Sequence, residues 1–151
     1  MILAFEDLAE YRQRVAMVDG AFDPMHRGHV EYFRLAAEQL GVPLLCNVAS
    51  DRYVSSKHPP LVPEADRAAV VDAIRYITYT HVNQFDTETI LRELCPRYYV
   101  KGSDWRDRLP AEQVVICRDQ GIEIVYLDTV LNSSSRLLQD FCRKMRNDDG
   151  Q

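Results

Sequence analysis

Lysine is scarce in this chain of 151 residues, with three lysines against 15 arginines, and 23 acidic residues bring the formal charge to −5. That sign excludes a protein that coats nucleic acid with its whole surface, so a small molecule or a protein is the expected partner. Cysteine is sparse and unpaired in pattern: Cys46, Cys95, Cys117 and Cys142 contain no C-x-x-C spacing. No cationic stretch followed by an apolar one opens the chain, so free thiols and a cytoplasmic location are expected. Apolar runs are short, far below the roughly 18 residues that a membrane-spanning helix needs. Internal repeats, low-complexity stretches and inter-domain linkers are also missing. One compact domain follows, large enough to bury a core without disulfides or a structural metal.

What is present is an alternation. Residues 15–18 read as a buried strand, and Val30, Phe33, Ala37 and Leu40 then recur at helical spacing, with Gly41 as a stop. Residues 44–49 form a second apolar run. After a polar loop, Pro63 opens a helix expected over residues 64–75, with Ala69, Val70, Ala73 and Ile74 turned inward. Strands are expected at residues 77–82, 98–101 and 122–127. Between them Asp86 or Thr87 caps a helix through Leu94, Pro110 starts another that Gly121 ends, and Ser133 caps a last helix running into Arg146. Residues 1–14 are expected to be a short helical extension outside the sheet with Phe5 and Leu8 inward, residues 15–146 the domain, and residues 147–151 a frayed tail.

Strands too continuously apolar to leave one side wet, separated by helices, imply a parallel sheet covered on both faces. The expected architecture is a Rossmann-like three-layer α/β sandwich with a five-stranded parallel sheet. Such sheets bind ligands at the carboxyl ends of their strands, here the residues after Val18, Ala49, Lys101 and Leu127. The segment after the first strand contains Gly20-Ala21-Phe22-Asp23 and then His26-Arg27-Gly28-His29 at the start of a helix. A helix N-terminus presents unpaired N–H groups and positive partial charge, two imidazoles three residues apart share its first turn, and Gly28 lets a nucleotide approach the backbone. Together they suit a polyphosphate; the plainer alternative is that the histidines cap the helix or sit on its surface. Zinc would need further ligands, and His58 and His81 are isolated in sequence.

Gly20-Ala21-Phe22-Asp23 with His26-Arg27-Gly28-His29 resembles the signature of the HxGH nucleotidyltransferase superfamily, which includes cytidylyltransferases, small adenylyltransferases and class I aminoacyl-tRNA synthetases. Further matches follow in order: Val48-Ala49-Ser50-Asp51, Pro60-Leu61-Val62-Pro63 with Arg67, Val100-Lys101-Gly102-Ser103-Asp104-Trp105, and Ser133-Ser134-Ser135-Arg136. The subfamily most resembled is the heptose 1-phosphate adenylyltransferase domain of bifunctional enzymes, with glycerol-3-phosphate and phosphoethanolamine cytidylyltransferases close behind. Two departures stand out: Leu131 where the family has Gly, and Asp128-Thr129-Val130 where it often has Arg or Glu. They leave the base, ATP or CTP, open.

The resemblance implies transfer of a nucleoside monophosphate from a triphosphate to a phosphorylated sugar or polyol, with release of pyrophosphate and no covalent enzyme intermediate. Positioning and charge stabilisation are then the protein's task. His26 and His29 would hold the phosphates. Independently of the resemblance, Lys57 lies in a loop at the predicted carboxyl edge and is the candidate for neutralising the transferring phosphate; a solvated loop lysine is the alternative. Gly20, Ala21, Phe22, Asp23, Gly28, Lys101, Asp104, Ser133, Ser134 and Ser135 would bind the nucleotide. For Asp23 the alternative is an Asx turn before Pro24, and for Lys101 a role in holding the loop around Asp104. Arg67 would reach the acceptor phosphate or form a subunit salt bridge, and Trp105 would stack or simply pack. Mg²⁺ is the expected cofactor, carried by phosphate oxygens rather than by protein side chains. A homodimer is expected from the same resemblance. Two further readings stay open: a catalytically weak nucleotide-binding regulatory domain, and a coenzyme adenylyltransferase of the pantetheine-phosphate type.

Overall fold

The computed structural model of the protein describes residues 1–128 and 133–148. Among them, six strands form one parallel sheet: β1 (Ile2–Leu3), β2 (Ala16–Gly20), β3 (Leu44–Ala49), β4 (Tyr79–Asn83), β5 (Tyr98–Gly102) and β6 (Glu123–Leu127). Their spatial order is β1-β4-β3-β2-β5-β6. The Rossmann-like α/β sandwich stands, with one strand more than the expected five. The added strand is Ile2–Leu3, paired with Thr80 and His81 at the sheet edge, so the first residues are part of the sheet rather than packed outside it. Two residues carry no periodicity by which a strand is recognised. The short 3-10 helix Phe5–Tyr11 that follows does turn Leu8 fully inward.

Alternating side chains serve two cores. Val15, Met17, Leu45 and Tyr99 pack with Leu8, with Ile90, Leu91 and Leu94 of α4 (Thr87–Leu94), and with Ile116 and Cys117 of α5 (Ala111–Gln120). Ala16, Val18, Cys46, Val48 and Val100 face the other way, onto Phe33 and Ala36 of α1 (Arg27–Leu40) and Val71 of α3 (Glu64–Asp72). Both faces are dry, as a parallel sheet requires. Helix ends follow the sequence punctuation: Gly41 and Gly121 adopt left-handed conformations after α1 and α5, and Asp86 caps α4 through the Thr89 N–H (2.6 Å).

Helix α3 corrects the sequence reading. It ends at Asp72 rather than Arg75, and its buried residues are Arg67, Ala68 and Val71, whereas Ala69, Val70 and Ala73 are exposed. An arginine occupies the inward face and rotates the apolar stripe. The polar loop before it contains a further short helix, α2 (Asp51–Ser55), capped by the Ser50 hydroxyl. The last helix, α6 (Ser134–Asp148), includes residues 147 and 148 of the expected frayed tail. Residues 149–151 and the closing-loop positions Thr129, Val130 and Leu131 lie outside the described residues. No helix among the described residues is long and apolar enough to cross a membrane.

Candidate active site

Strand order reverses between β2 and β5, the switch point at which an open parallel sheet leaves a crevice at its carboxyl edge. A solvent-open cavity of about 260 Å³ lies there, lined by Asp19 from β2, Lys101 and Gly102 from β5, Asp104 and Trp105, His26, His29 and Tyr32 from α1 and its start, and Ser133 and Ser134 at the start of α6. The N-termini of two helices therefore meet at one cavity, each presenting positive partial charge.

The histidines cap the helix and face the cavity at once. His26 Nδ1 accepts the Gly28 N–H (3.0 Å), and His29 Nδ1 accepts the His26 N–H (3.3 Å). Because each Nδ1 is an acceptor, the neutral rings must carry their protons on Nε2. The His26 Nε2 is buried without a hydrogen-bond partner among the described residues. The two rings stack at 3.9 Å. Burial lowers the pKa of His26, and burial together with the neighbouring His26 charge lowers that of His29 to about 4. Both are neutral near pH 7, so they offer N–H donors without a fixed charge.

The loop behind them is built to hold that geometry. Phe22, at φ +53°, sets its ring edge-on against His29 at a centroid distance of 5.0 Å. That backbone conformation is strained for a bulky residue and persists only where packing enforces it. A Cβ on Gly20 would lie 2.9 Å from the Phe22 ring, so glycine there makes room for the ring. Gly20 and Phe22 thus act on His29 and are outside the cavity lining.

Asp23 and Arg67 are fasteners. The Asp23 side chain is buried, and its carboxylate accepts the Leu61 and Val62 N–H groups, both at 2.8 Å. It neither orients a histidine nor opens to the cavity. Arg67 corrects the acceptor-binding expectation: its side chain is 1% exposed and its donors are committed to Val62 O (2.9 Å), Ala21 O (2.7 Å), Ala49 O (2.8 Å) and Asp51 Oδ1 (2.7 Å). It ties the loops after β2 and β3 to the entry of α3. The guanidinium holds the Asp51 carboxyl below its ordinary value.

Lys57 is not brought to the cavity. It is exposed, with its ammonium 4.6 Å from the Tyr53 ring centroid, because α2 and its trailing turn direct it to solvent. Lys101 does reach the cavity but is paired with Asp19 (Nζ to Oδ1 2.8 Å) and lies 4.2 Å from the Trp105 ring centroid. Asp104 folds over Gly102, where a Cβ would meet Asp104 Oδ1 at 2.5 Å. The Ser133 hydroxyl accepts the Arg136 N–H (3.1 Å) as the cap of α6. The Ser134 hydroxyl donates to Pro24 O (2.8 Å), latching α6 to the histidine loop. Ser135 is exposed and outside the lining.

Asp19, Tyr32 and Gly102 line the cavity although the sequence reading assigned them no role. Asp19 had a signal: a carboxylate ending an otherwise apolar buried strand. Tyr32 is three residues beyond His29 and so on the same helical face; its hydroxyl donates to Val100 O (2.7 Å). Among the described residues no group of three or more histidine, cysteine or acidic side chains is arranged to hold a metal ion.

A switch-point cavity lined by the starts of two helices and by two imidazoles defines a Rossmann-like α/β domain with a ligand crevice at the carboxyl edge of its sheet. The cytidylyltransferase-like family profile matches residues 17–139, and the chain belongs to that family. It is 28% identical over 145 residues to the bifunctional protein HldE of a Nitratiruptor species, covering 93% of this chain and 30% of the relative. Identity is 37% over 89 residues to FAD synthase of Archaeoglobus fulgidus, covering 58% of this chain and 64% of the relative. The chain thus spans under a third of the length of its bifunctional relative. A solved structure of the lipopolysaccharide core biosynthesis protein of Thermoplasma volcanium shares the fold, with a TM-score of 0.64 at 20% identity over 78% of this chain and 98% of that one.

Proposed function

We propose that the protein transfers a nucleoside monophosphate from ATP or CTP to a phosphorylated sugar or polyol, of the heptose 1-phosphate or glycerol 3-phosphate kind, releasing pyrophosphate. The observation that carries this reading is the meeting of two helix N-termini and two tautomer-locked imidazoles at one cavity. An oxygen of the acceptor phosphate attacks the α-phosphorus, the bond from that phosphorus to the β-phosphate bridging oxygen breaks, and the electron pair leaves on pyrophosphate. The attacking oxygen is already anionic, so no protein base is required. His26 and His29 donate from Nε2 to oxygens that gain charge in the transition state, and the start of α6 receives the terminal phosphates.

The cavity's carboxylates are Asp19, spent on Lys101, and Asp104. That donor set fits Mg²⁺ carried by triphosphate oxygens, where it would supply charge neutralisation. A homodimer is part of the same reading, supported by the exposed stripe Leu137, Phe141 and Met145 along α6.

Pyrophosphate release from ATP, CTP, GTP and UTP with Mg²⁺ tests the reading against heptose 1-phosphate, other sugar 1-phosphates, glycerol 3-phosphate, phosphoethanolamine and, given the FAD synthase relative, a flavin phosphate. Release that needs one triphosphate and one acceptor is the expected result. A second reading, a nucleotide-binding regulatory domain, is favoured by one observation: Lys101 is the one lysine or arginine in the described cavity lining, and it is tied to Asp19. Triphosphate binding without release across the panel would select it.

A further inference from the structure

The Asp19–Lys101 pair is built into the cavity wall. Both side chains are mostly buried, 13% and 11% exposed, and both line the cavity. Asp19 is held from two sides: Oδ1 accepts from Lys101 and Oδ2 accepts the Tyr99 hydroxyl (3.0 Å). That hydroxyl also lies 3.0 Å from Gln113 Oε1, and Gln113 Nε2 donates to Glu88 (3.0 Å). A chain of polar contacts from α4 and α5 therefore fixes the carboxylate. Lys101 is fixed by Asp19 and by the Trp105 and Tyr99 rings, whose centroids lie 4.2 and 5.5 Å away.

Such a lysine is a poor phosphate clamp, since leaving Asp19 would strand a mostly buried carboxylate. The pair as a unit has no net charge and attracts no anion. It still has capacity: among the described residues each Asp19 oxygen takes one protein donor and keeps a lone pair, and Lys101 has N–H groups beyond the one given to Asp19. Paired acceptors beside a donor, next to the indole of Trp105, match adjacent hydroxyls on a sugar ring or polyol, each hydroxyl donating to the carboxylate while one accepts from the ammonium.

We propose that Asp19 and Lys101 act together as a specificity element that reads a vicinal diol of the substrate. This rests on the nucleotidyltransferase reading above. The diol belongs either to the ribose of the triphosphate or to the acceptor, and the two sources are separable.

Calorimetry with Mg²⁺ would compare ATP and CTP with their 2′-deoxy and 3′-deoxy forms. In parallel it would compare glycerol 3-phosphate, which has the diol, with 3-hydroxypropyl phosphate, which lacks it. Wild type is expected to prefer the diol in one arm by roughly tenfold or more, the scale of a lost hydrogen bond to a charged group. Asp19→Asn and Lys101→Met, each checked for fold by circular dichroism, should collapse that ratio in the same arm. A ribose-arm effect assigns the nucleotide and a polyol-arm effect the acceptor. Triphosphate binding with no diol preference in either arm, or a preference that survives both substitutions, would overturn the inference and leave the nucleotidyltransferase reading intact. Failure of every triphosphate to bind would overturn both.

Discussion

Replacing Arg67 by methionine keeps an unbranched apolar stem and removes the guanidinium with every donor. Three carbonyl oxygens, of Ala21, Ala49 and Val62, and the Asp51 carboxylate then lose their partner. Removing one member of a buried pair costs about 3–5 kcal/mol, and each carbonyl shut away from water about 1–3 kcal/mol. These contributions do not add in full, because the Asp51 side chain is 38% exposed and rehydrates. A net loss of about 3–5 kcal/mol is expected, a large share of the roughly 5–15 kcal/mol that typically holds a domain folded. Urea unfolding followed by circular dichroism measures it, as a midpoint lowered by about 2 M with an unchanged slope for a typical m-value near 2 kcal/mol/M. A loss below about 1 kcal/mol would refute the assignment of Arg67 as a fastener. So would a variant that folds normally and fails only in acceptor binding, because that is the behaviour of a ligand residue.

Burial gives His29 a folded pKa of about 4 against an ordinary 6.5 and lowers that of His26 too, so below pH 6.5 the unfolded chain binds more protons than the folded one. Stability should therefore be lost as pH falls from 6.5 toward 4, by up to about 3 kcal/mol from His29, and urea melts of His29→Asn should show a flatter slope. His29→Ala should lower kcat by roughly 10²–10³, the scale for one lost transition-state donor, while its far-ultraviolet circular dichroism stays native. Light scattering should report about twice the 17.4 kDa monomer mass at micromolar concentration; a monomer would reject the dimer.

Most of the fold was legible because it is local. Gly41, Gly121 and Asp86 mark helix ends by conformational and capping preferences that need no tertiary context, and apolar runs such as residues 44–49 mark strands buried on both sides. The histidine pair could be placed at a helix N-terminus from spacing alone, and Ser133 as a helix cap, whereas the nucleotide role of the serines came from resemblance. What stayed hidden depends on tertiary placement. Strand Ile2–Leu3 exists through its pairing with Thr80 and His81. Arg67 looked like a surface or ligand residue because nothing local shows that three loop carbonyls converge on it. Lys57 was read from its place in a loop at the predicted carboxyl edge, and its turn faces solvent. The reverse happened at Asp19, an acid whose lysine partner lies 82 residues away along the chain.

The reaction itself is tested most directly by following the phosphorus atoms. The protein would be incubated with Mg²⁺, the productive acceptor and the matching triphosphate labelled at either the α or the γ position. Nucleotidyl transfer predicts that the α label enters a product that also contains the acceptor, while the γ label leaves as pyrophosphate. Appearance of the γ label in the acceptor or in inorganic phosphate from the start, with the α label left on free nucleotide, would contradict it.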